Sequence, residues 1–152
     1  MAWPKLTKWL FALLRLLCND TSNSGKISNS EIGREGERCA RNYLTKNGWR
    51  VVGRNIRFGK DELDILAISP DVNTLVIVEV RTTMDRKRLP ENTIDHKKRN
   101  AMLRVAKQLR WEAKKHNYTL RMDLITVRLC DKQPLLEHFK GILKLTNSRG
   151  FS

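Results

Sequence analysis

The sequence predicts an α/β domain: a central mixed β-sheet of four to five strands flanked by helices, in the order helix, three strands, helix, strand. Three observations predict it. Leu75, Val76, Ile77, Val78 and Val80 form a nearly continuous apolar run, the pattern of a strand covered on both faces. Before and after that region, in residues 32–44 and 101–113, apolar side chains recur at helical spacing. The length, 152 residues, suits one domain with a tail and is enough to bury a real core.

The chain is taken in order. Residues 9–18 are apolar except for Arg15, with Lys5 and Lys8 ahead of them. A spanning helix needs about 20 apolar residues, and a secretory leader would carry a small-residue cleavage site and no arginine. Residues 1–18 therefore read as an amphipathic segment that packs on this domain, on a partner protein or on a membrane surface. Residues 19–30, rich in Ser, Asn, Thr and Gly, read as a flexible linker, residues 31–145 as the folded domain and residues 146–152 as a frayed tail.

Ser28 with Glu31 is a capping-box signature, and Ile32, Gly36, Cys39, Ala40, Tyr43 and Leu44 follow at helical spacing until Asn47-Gly48 stops the run. Glu37 falls about 100° from the stripe's centre near Gly36, on the edge, where it can face into the domain. Residues 49–56 give a first strand and residues 61–67 a second. In the second, Leu63, Ile65 and Ala67 share one face, leaving Glu62 and Asp64 on the other. A hairpin around Pro70-Asp71 leads to the third strand, residues 74–83, where Leu75, Ile77, Glu79 and Arg81 share a face.

A charged connection over residues 85–91 precedes a second helix from about residue 93 to 116, with Ala101, Met102, Val105, Ala106, Leu109 and Ala113 as its apolar stripe. A strand over residues 120–129 and an edge strand over 135–145 close the domain. His96, His116 and His138 have no ligand-like spacing and read as surface residues. Cys18, Cys39 and Cys130, odd in number and without CxxC spacing, fit a reduced cytoplasmic protein.

Thirty Lys and Arg against sixteen Asp and Glu give a net charge of +14, which calls for a polyanionic partner: DNA or RNA first, an acidic membrane surface second. The charge is concentrated. Residues 86–115 hold eleven Lys or Arg against three acids, and Lys97, Lys98, Arg104 and Lys107 are the expected phosphate contacts. No recognition helix with base-reading residues stands out, so binding should depend little on sequence.

Glu79 lies in a layer that should be dry. Neighbouring strands run roughly 4.8 Å apart, so pairing the second and third strands with Asp64 opposite Glu79 sets two carboxylates within reach of one ion. Such a pair cannot stay doubly ionised without a cation, and oxygen ligands with no His or Cys nearby point to Mg2+ or Mn2+. The bland alternative pairs Glu79 with Arg81 or a helix lysine and leaves Glu37, Glu62 and Asp64 as solvated charges.

The order of elements, with acids on the first helix and on the second and third strands, resembles the restriction-endonuclease-like core of the PD-(D/E)XK superfamily. Within it the chain resembles the YraN-like family of small uncharacterised proteins, regarded as predicted endonucleases. The resemblance is carried by Gly33, Gly36-Glu37, Ala40, Tyr43-Leu44, Gly48, Asn55, Glu62, Asp64-Ile65, Val78-Glu79-Val80-Arg81, Lys98, Ala106, Arg121 and Asp123. It implies a metal held by Asp64 and Glu79, with Glu37 completing the acidic site, and a metal-dependent endonuclease without a small-molecule cofactor.

The position of Arg81 would carry the superfamily's lysine. An arginine keeps its proton, so Arg81 can stabilise developing phosphorane charge but cannot act as a base, and Lys98 is the residue that could reach the site instead. Lys60-Asp61 also departs from the family, which tends to have glycine there. The competing expectation is a nucleic-acid-binding module that kept the nuclease fold and lost the chemistry.

Overall fold

A computed structural model describes residues 29–85, 94–129 and 132–144. The segment 1–18, Ser28 of the capping box, most of the 85–91 connection, Cys18, Cys130 and the tail lie outside those residues. Seven elements follow in chain order: α1 (Asn29–Lys46), β1 (Arg50–Phe58), β2 (Asp61–Ile68), β3 (Thr74–Thr83), α2 (His96–Lys115), β4 (Thr119–Arg128) and β5 (Leu135–Leu143). The strands form one mixed sheet in sequential order, antiparallel throughout except for the parallel pair β3–β4, which α2 connects. This is a restriction-endonuclease-like core.

The apolar run predicted β3 correctly. Every residue from Thr74 to Val80 is buried, because a helix covers each face. On one face Ala40 and Leu44 of α1 pack with Ile65, Ala67, Val76, Val78, Val80, Ile125 and Val127. On the other, Met102, Val105, Ala106, Leu109 and Ala113 of α2 pack with Leu66, Ile68, Leu75, Ile77 and Met122. Burying a side chain of this size contributes about 1.5–3 kcal/mol, so these two clusters hold the helices to the sheet.

Local chemistry sets the element ends. Gly48, at φ 79°, closes α1, with the Trp49 N–H donating to the Leu44 carbonyl. The β2–β3 hairpin turns on Asp71, whose carboxylate accepts from the Ser69 hydroxyl and from the Asn73 and Thr74 N–H groups. The N-cap of α2 is Asp95, accepting from the Lys98 N–H at 2.7 Å, so the helix begins at His96 and not at about residue 93 as expected.

Two expectations are corrected. Leu63 does not share a cluster with Ile65 and Ala67; it packs with Ile56 and Phe58 on the α2 side. The cause is Asn55, at φ 50° between Arg54 and Ile56, which breaks the period-2 alternation of the β1–β2 pair. His138 is not a surface residue: its side chain is 4% exposed. It is drawn inward by Asp123 from the neighbouring strand.

Candidate functional site

The β2–β3 ladder runs from Ile68↔Leu75 to Ile65↔Val78, and one further step sets Asp64 opposite Glu79 as predicted. There the ladder stops. The Val80 N–H donates to Asp64 Oδ2 at 2.8 Å, so a side chain takes the place of a backbone acceptor and the two strands part. The gap opens the sheet to both faces. Glu37 from α1 and Lys98 from α2 line one cavity of about 570 Å³ together with Asp64, Glu79 and Arg81.

α1 reaches this gap because Gly36 lets it come close. A Cβ at Gly36 would lie 1.8 Å from Thr82 Oγ1, so no larger residue fits without moving the helix from β3. Asp95, by capping α2, fixes the turn from which Lys98 turns inward.

Lys98 Nζ stands 3.1 Å from Glu79 Oε1 and 3.9 Å from Asp64 Oδ1, and Arg81 Nη2 lies 3.6 Å from Glu79 Oε1. The Lys98 ammonium is the close partner of Glu79 Oε1, though neither contact has the angles of a directed hydrogen bond, and this buried oxygen has no other donor among the described residues. Burial, then the charge of Asp64, pushes the Glu79 carboxyl up to about 8, against the lowering influence of Lys98 and Arg81. Burial also works to lower the Lys98 ammonium, but the charges of Asp64 and Glu79 overcome it and hold its pKa above the ordinary lysine value. Lys98 is thus a held cation.

Glu37 is raised too, by burial first and then by Asp64, while a side-chain hydrogen bond from Asn55 opposes the shift. Sequence reasoning did not assign Asn55 to the site; an asparagine amid strand residues, tolerant of positive φ, was the available signal. Among the described residues no three of His, Cys, Asp and Glu gather closely enough to enclose an ion, although Glu37 lines the same cavity as Asp64 and Glu79. The donor set still fits Mg2+ or Mn2+, which are held by one or two carboxylates and keep several waters. The orphaned Glu79 Oε1 is the atom that fits best.

The expected phosphate contacts divide. Lys97 and Lys107 are exposed on α2. Lys98 turns into the site, and Arg104 is engaged by Asp61 through two 2.7 Å hydrogen bonds, the role Asp61 plays where the family tends to have glycine. A second cavity, about 500 Å³, adjoins the first through Arg81 and Lys98 and is rimmed by Lys60, Lys97 and Arg104, so that its basic residues outnumber the acids Asp61, Glu62 and Asp95 in its walls. One side of the carboxylate pair is therefore cationic. Among the described residues no helix is long and apolar enough to cross a membrane.

The model of the uncharacterised protein family UPF0102 matches residues 36–127. A UPF0102 protein of Alkaliphilus oremlandii is 34% identical over 116 residues, covering 74% of this chain and 97% of its own. One of Lawsonia intracellularis is 33% identical over 120 residues, covering 78% and 89%. The likeness of a solved structure, Pyrococcus furiosus SfsA in complex with Ca2+, is slight: 13% identity and a TM-score of 0.35 over 80% of this chain and 74% of that one.

Proposed function

This chain belongs to the uncharacterised protein family UPF0102, the YraN-like family its motifs resemble, and on that premise we propose that it binds nucleic acid and hydrolyses phosphodiester bonds with a divalent metal and little sequence preference. One observation carries the reading. At a break in the sheet, a buried carboxyl whose Oε1 lacks a directed donor faces a second carboxylate, and the cations around both line a cavity of about 500 Å³ in which basic residues outnumber acids. The carboxylate pair lines one cavity, and its cations Arg81 and Lys98 line a second as well.

Asp64 and Glu79 would hold Mg2+ or Mn2+, which when bound polarises a phosphoryl oxygen and acidifies a water. Arg81 and Lys98 face the same cavity as fixed cations, placed to stabilise the negative charge that develops on the phosphorane oxygens. Neither serves as base in the metal-free site: an arginine keeps its proton, and the acids hold Lys98 protonated. Glu37, steadied by Asn55, is placed to orient a water at the cavity's α1 wall, which makes Asn55 a positioning residue.

The test is manganese-dependent cleavage of duplex, single-stranded, flapped and four-way-junction DNA. Lys98→Ala and Arg81→Ala should each lose about a hundredfold or more, with binding less affected, and Arg81→Lys should retain activity. Absence of cleavage by the wild type and by every variant would remove the nuclease reading. A second reading has its own support: Lys98 and Arg81 already neutralise Glu79, as they would in a binding module that no longer takes a metal. In that case neither magnesium nor manganese raises the melting temperature.

A further inference from the structure

Trp111 lies on α2 and is 71% exposed, the most exposed of the large apolar side chains among the described residues. At 100° per residue it falls opposite the stripe of Met102, Val105, Ala106, Leu109 and Ala113 that faces the sheet. It makes no ring contact with another described residue. Its helical neighbours are cations, Lys107 at i−4, Lys114 at i+3 and Lys115 at i+4, all exposed, with Arg104, paired to Asp61, at i−7. Single exposed apolar residues need no explanation, but an indole at the centre of a basic helix face is a specific combination.

We infer that Trp111 is a stacking platform for an unpaired base, and that the nucleic acid this domain takes is a single strand, or the single-stranded part of a branched molecule, lying along the solvent face of α2. The inference rests on the reading that the partner is nucleic acid and adds the class of nucleic acid. Bases in a duplex present only their edges, so an indole ring can offer its face only to a base that is unpaired. Surrounding ammonium groups meet the phosphates on either side, and stacking on an aromatic face is indifferent to which base it is, in keeping with a surface that reads no sequence.

The geometry joins this platform to the site. Thirteen residues separate Lys98 from Trp111, about 20 Å along the helix and roughly 140° around it, so a strand on the solvent face must cross the flank of α2 to reach the site, a path of several nucleotides. Past Trp111 the track continues: Arg110, Lys114, Arg121 and Lys144 line a cavity of about 570 Å³ that has no carboxylate in its walls. A protein partner fits less well, since interface cores that bury a tryptophan are depleted in lysine, and here lysine surrounds it.

The experiment measures binding of full-length protein to a 20-nucleotide oligo(dT) and to a 20-base-pair duplex by anisotropy, in buffer with EDTA so that no cleavage occurs. Trp111→Ala should weaken the single strand about tenfold and the duplex less than twofold, and Trp111→Phe should restore most of the loss. Oligo(dT) should quench tryptophan emission of the wild type more than that of Trp111→Ala. Equal effects on both nucleic acids, no effect on either, or no binding at all overturns the inference, as does a Trp111-dependent affinity for anionic phospholipid vesicles that exceeds the affinity for oligo(dT). Cleavage is not read, so a protein that never cuts can still satisfy this test, and one that cuts can still fail it.

Discussion

Two buried acids lie one register step apart on β3 and β4, on opposite faces of the sheet, and the domain treats them in opposite ways. Asp123 accepts from Arg121 Nε and Nη2 at 2.8 and 2.9 Å, from the Gly141 N–H at 2.9 Å, and shares a 2.9 Å hydrogen bond with His138 Nε2. Burial pushes its carboxyl up, but the bonds from His138, Arg121 and Gly141 prevail and leave its pKa below the ordinary range. Glu79, equally buried, has cations close by and no directed donor on Oε1, and its pKa rises. The contrast teaches what separates an acid that builds a fold from one that is kept for use: burial is the same, and hydrogen-bond satisfaction differs.

The largest expected effect breaks the comparison directly. Asp123→Ala strands Arg121 and His138 and should cost about 3–5 kcal/mol in urea unfolding, while Glu79→Gln in metal-free buffer should leave stability unchanged or raise it, since it puts a neutral amide of the same shape in place of a buried carboxyl beside a second carboxylate. A comparable loss from Glu79→Gln would make both acids structural.

Next comes the metal. At a hundred times its dissociation constant, magnesium or manganese should stabilise the wild type by about 2.7 kcal/mol in thermal unfolding, and Asp64→Asn or Glu79→Gln should abolish the gain. Lys98→Ala sharpens this further: if the ammonium occupies the ion's place in the metal-free protein, its removal should tighten metal binding even as cleavage falls. Weaker metal binding in Lys98→Ala would argue against that displacement.

A smaller effect is the pH dependence, where the two acids have opposite signs. Glu79 binds its proton more tightly folded, near 8, than unfolded, near 4.5, so the metal-free protein should lose stability as pH rises between those values, and Glu79→Gln should flatten that slope. Asp123 has a lowered folded pKa, so its stabilisation is present above about 3.8 and disappears as pH falls through the folded value. Melting temperatures from pH 3 to 8 separate the two; a stability that climbs from pH 5 to 8 contradicts the first. Smallest of all, Lys107→Ala should reduce the slope of log affinity against log salt by about 0.7 on single strands, and an unchanged slope would mean Lys107 meets no phosphate.

Much of this was legible in the sequence for identifiable reasons. The β3 run has no wet face, so its central place followed from composition, and the period-2 count that put Glu79 opposite Asp64 needed only an uninterrupted register over residues 64–68 and 75–79. Lys98 was legible as a residue able to reach the site, being a lysine in the first turn of a helix that covers the Glu79 face. What was not legible depended on partners distant in sequence. His138 looks like an edge-strand histidine until β5 pairs with β4 and sets it opposite Ile125, beside Asp123. An acid at Asp123, between Met122 and Leu124 and ahead of the apolar Ile125 and Val127, was the signal that buried donors had to exist. Leu63 was misplaced because the alternation switches across from Asn55, whose positive φ an asparagine tolerates but does not by itself declare.

The parallel pairing of β3 with β4 has a consequence for the order of assembly. Asp64 and Glu79 belong to one hairpin with a five-residue loop, while Lys98 reaches them from the crossover helix, whose docking on the sheet requires β4 to be placed. Local contacts form before distant ones, so the two carboxylates meet in water with Arg81 already beside Glu79 on β3, and the Lys98 ammonium arrives as the last face is sealed. Lys98→Met is then expected to speed unfolding while leaving the folding rate nearly unchanged, and a slowed folding limb would show that the cation is recruited at the start.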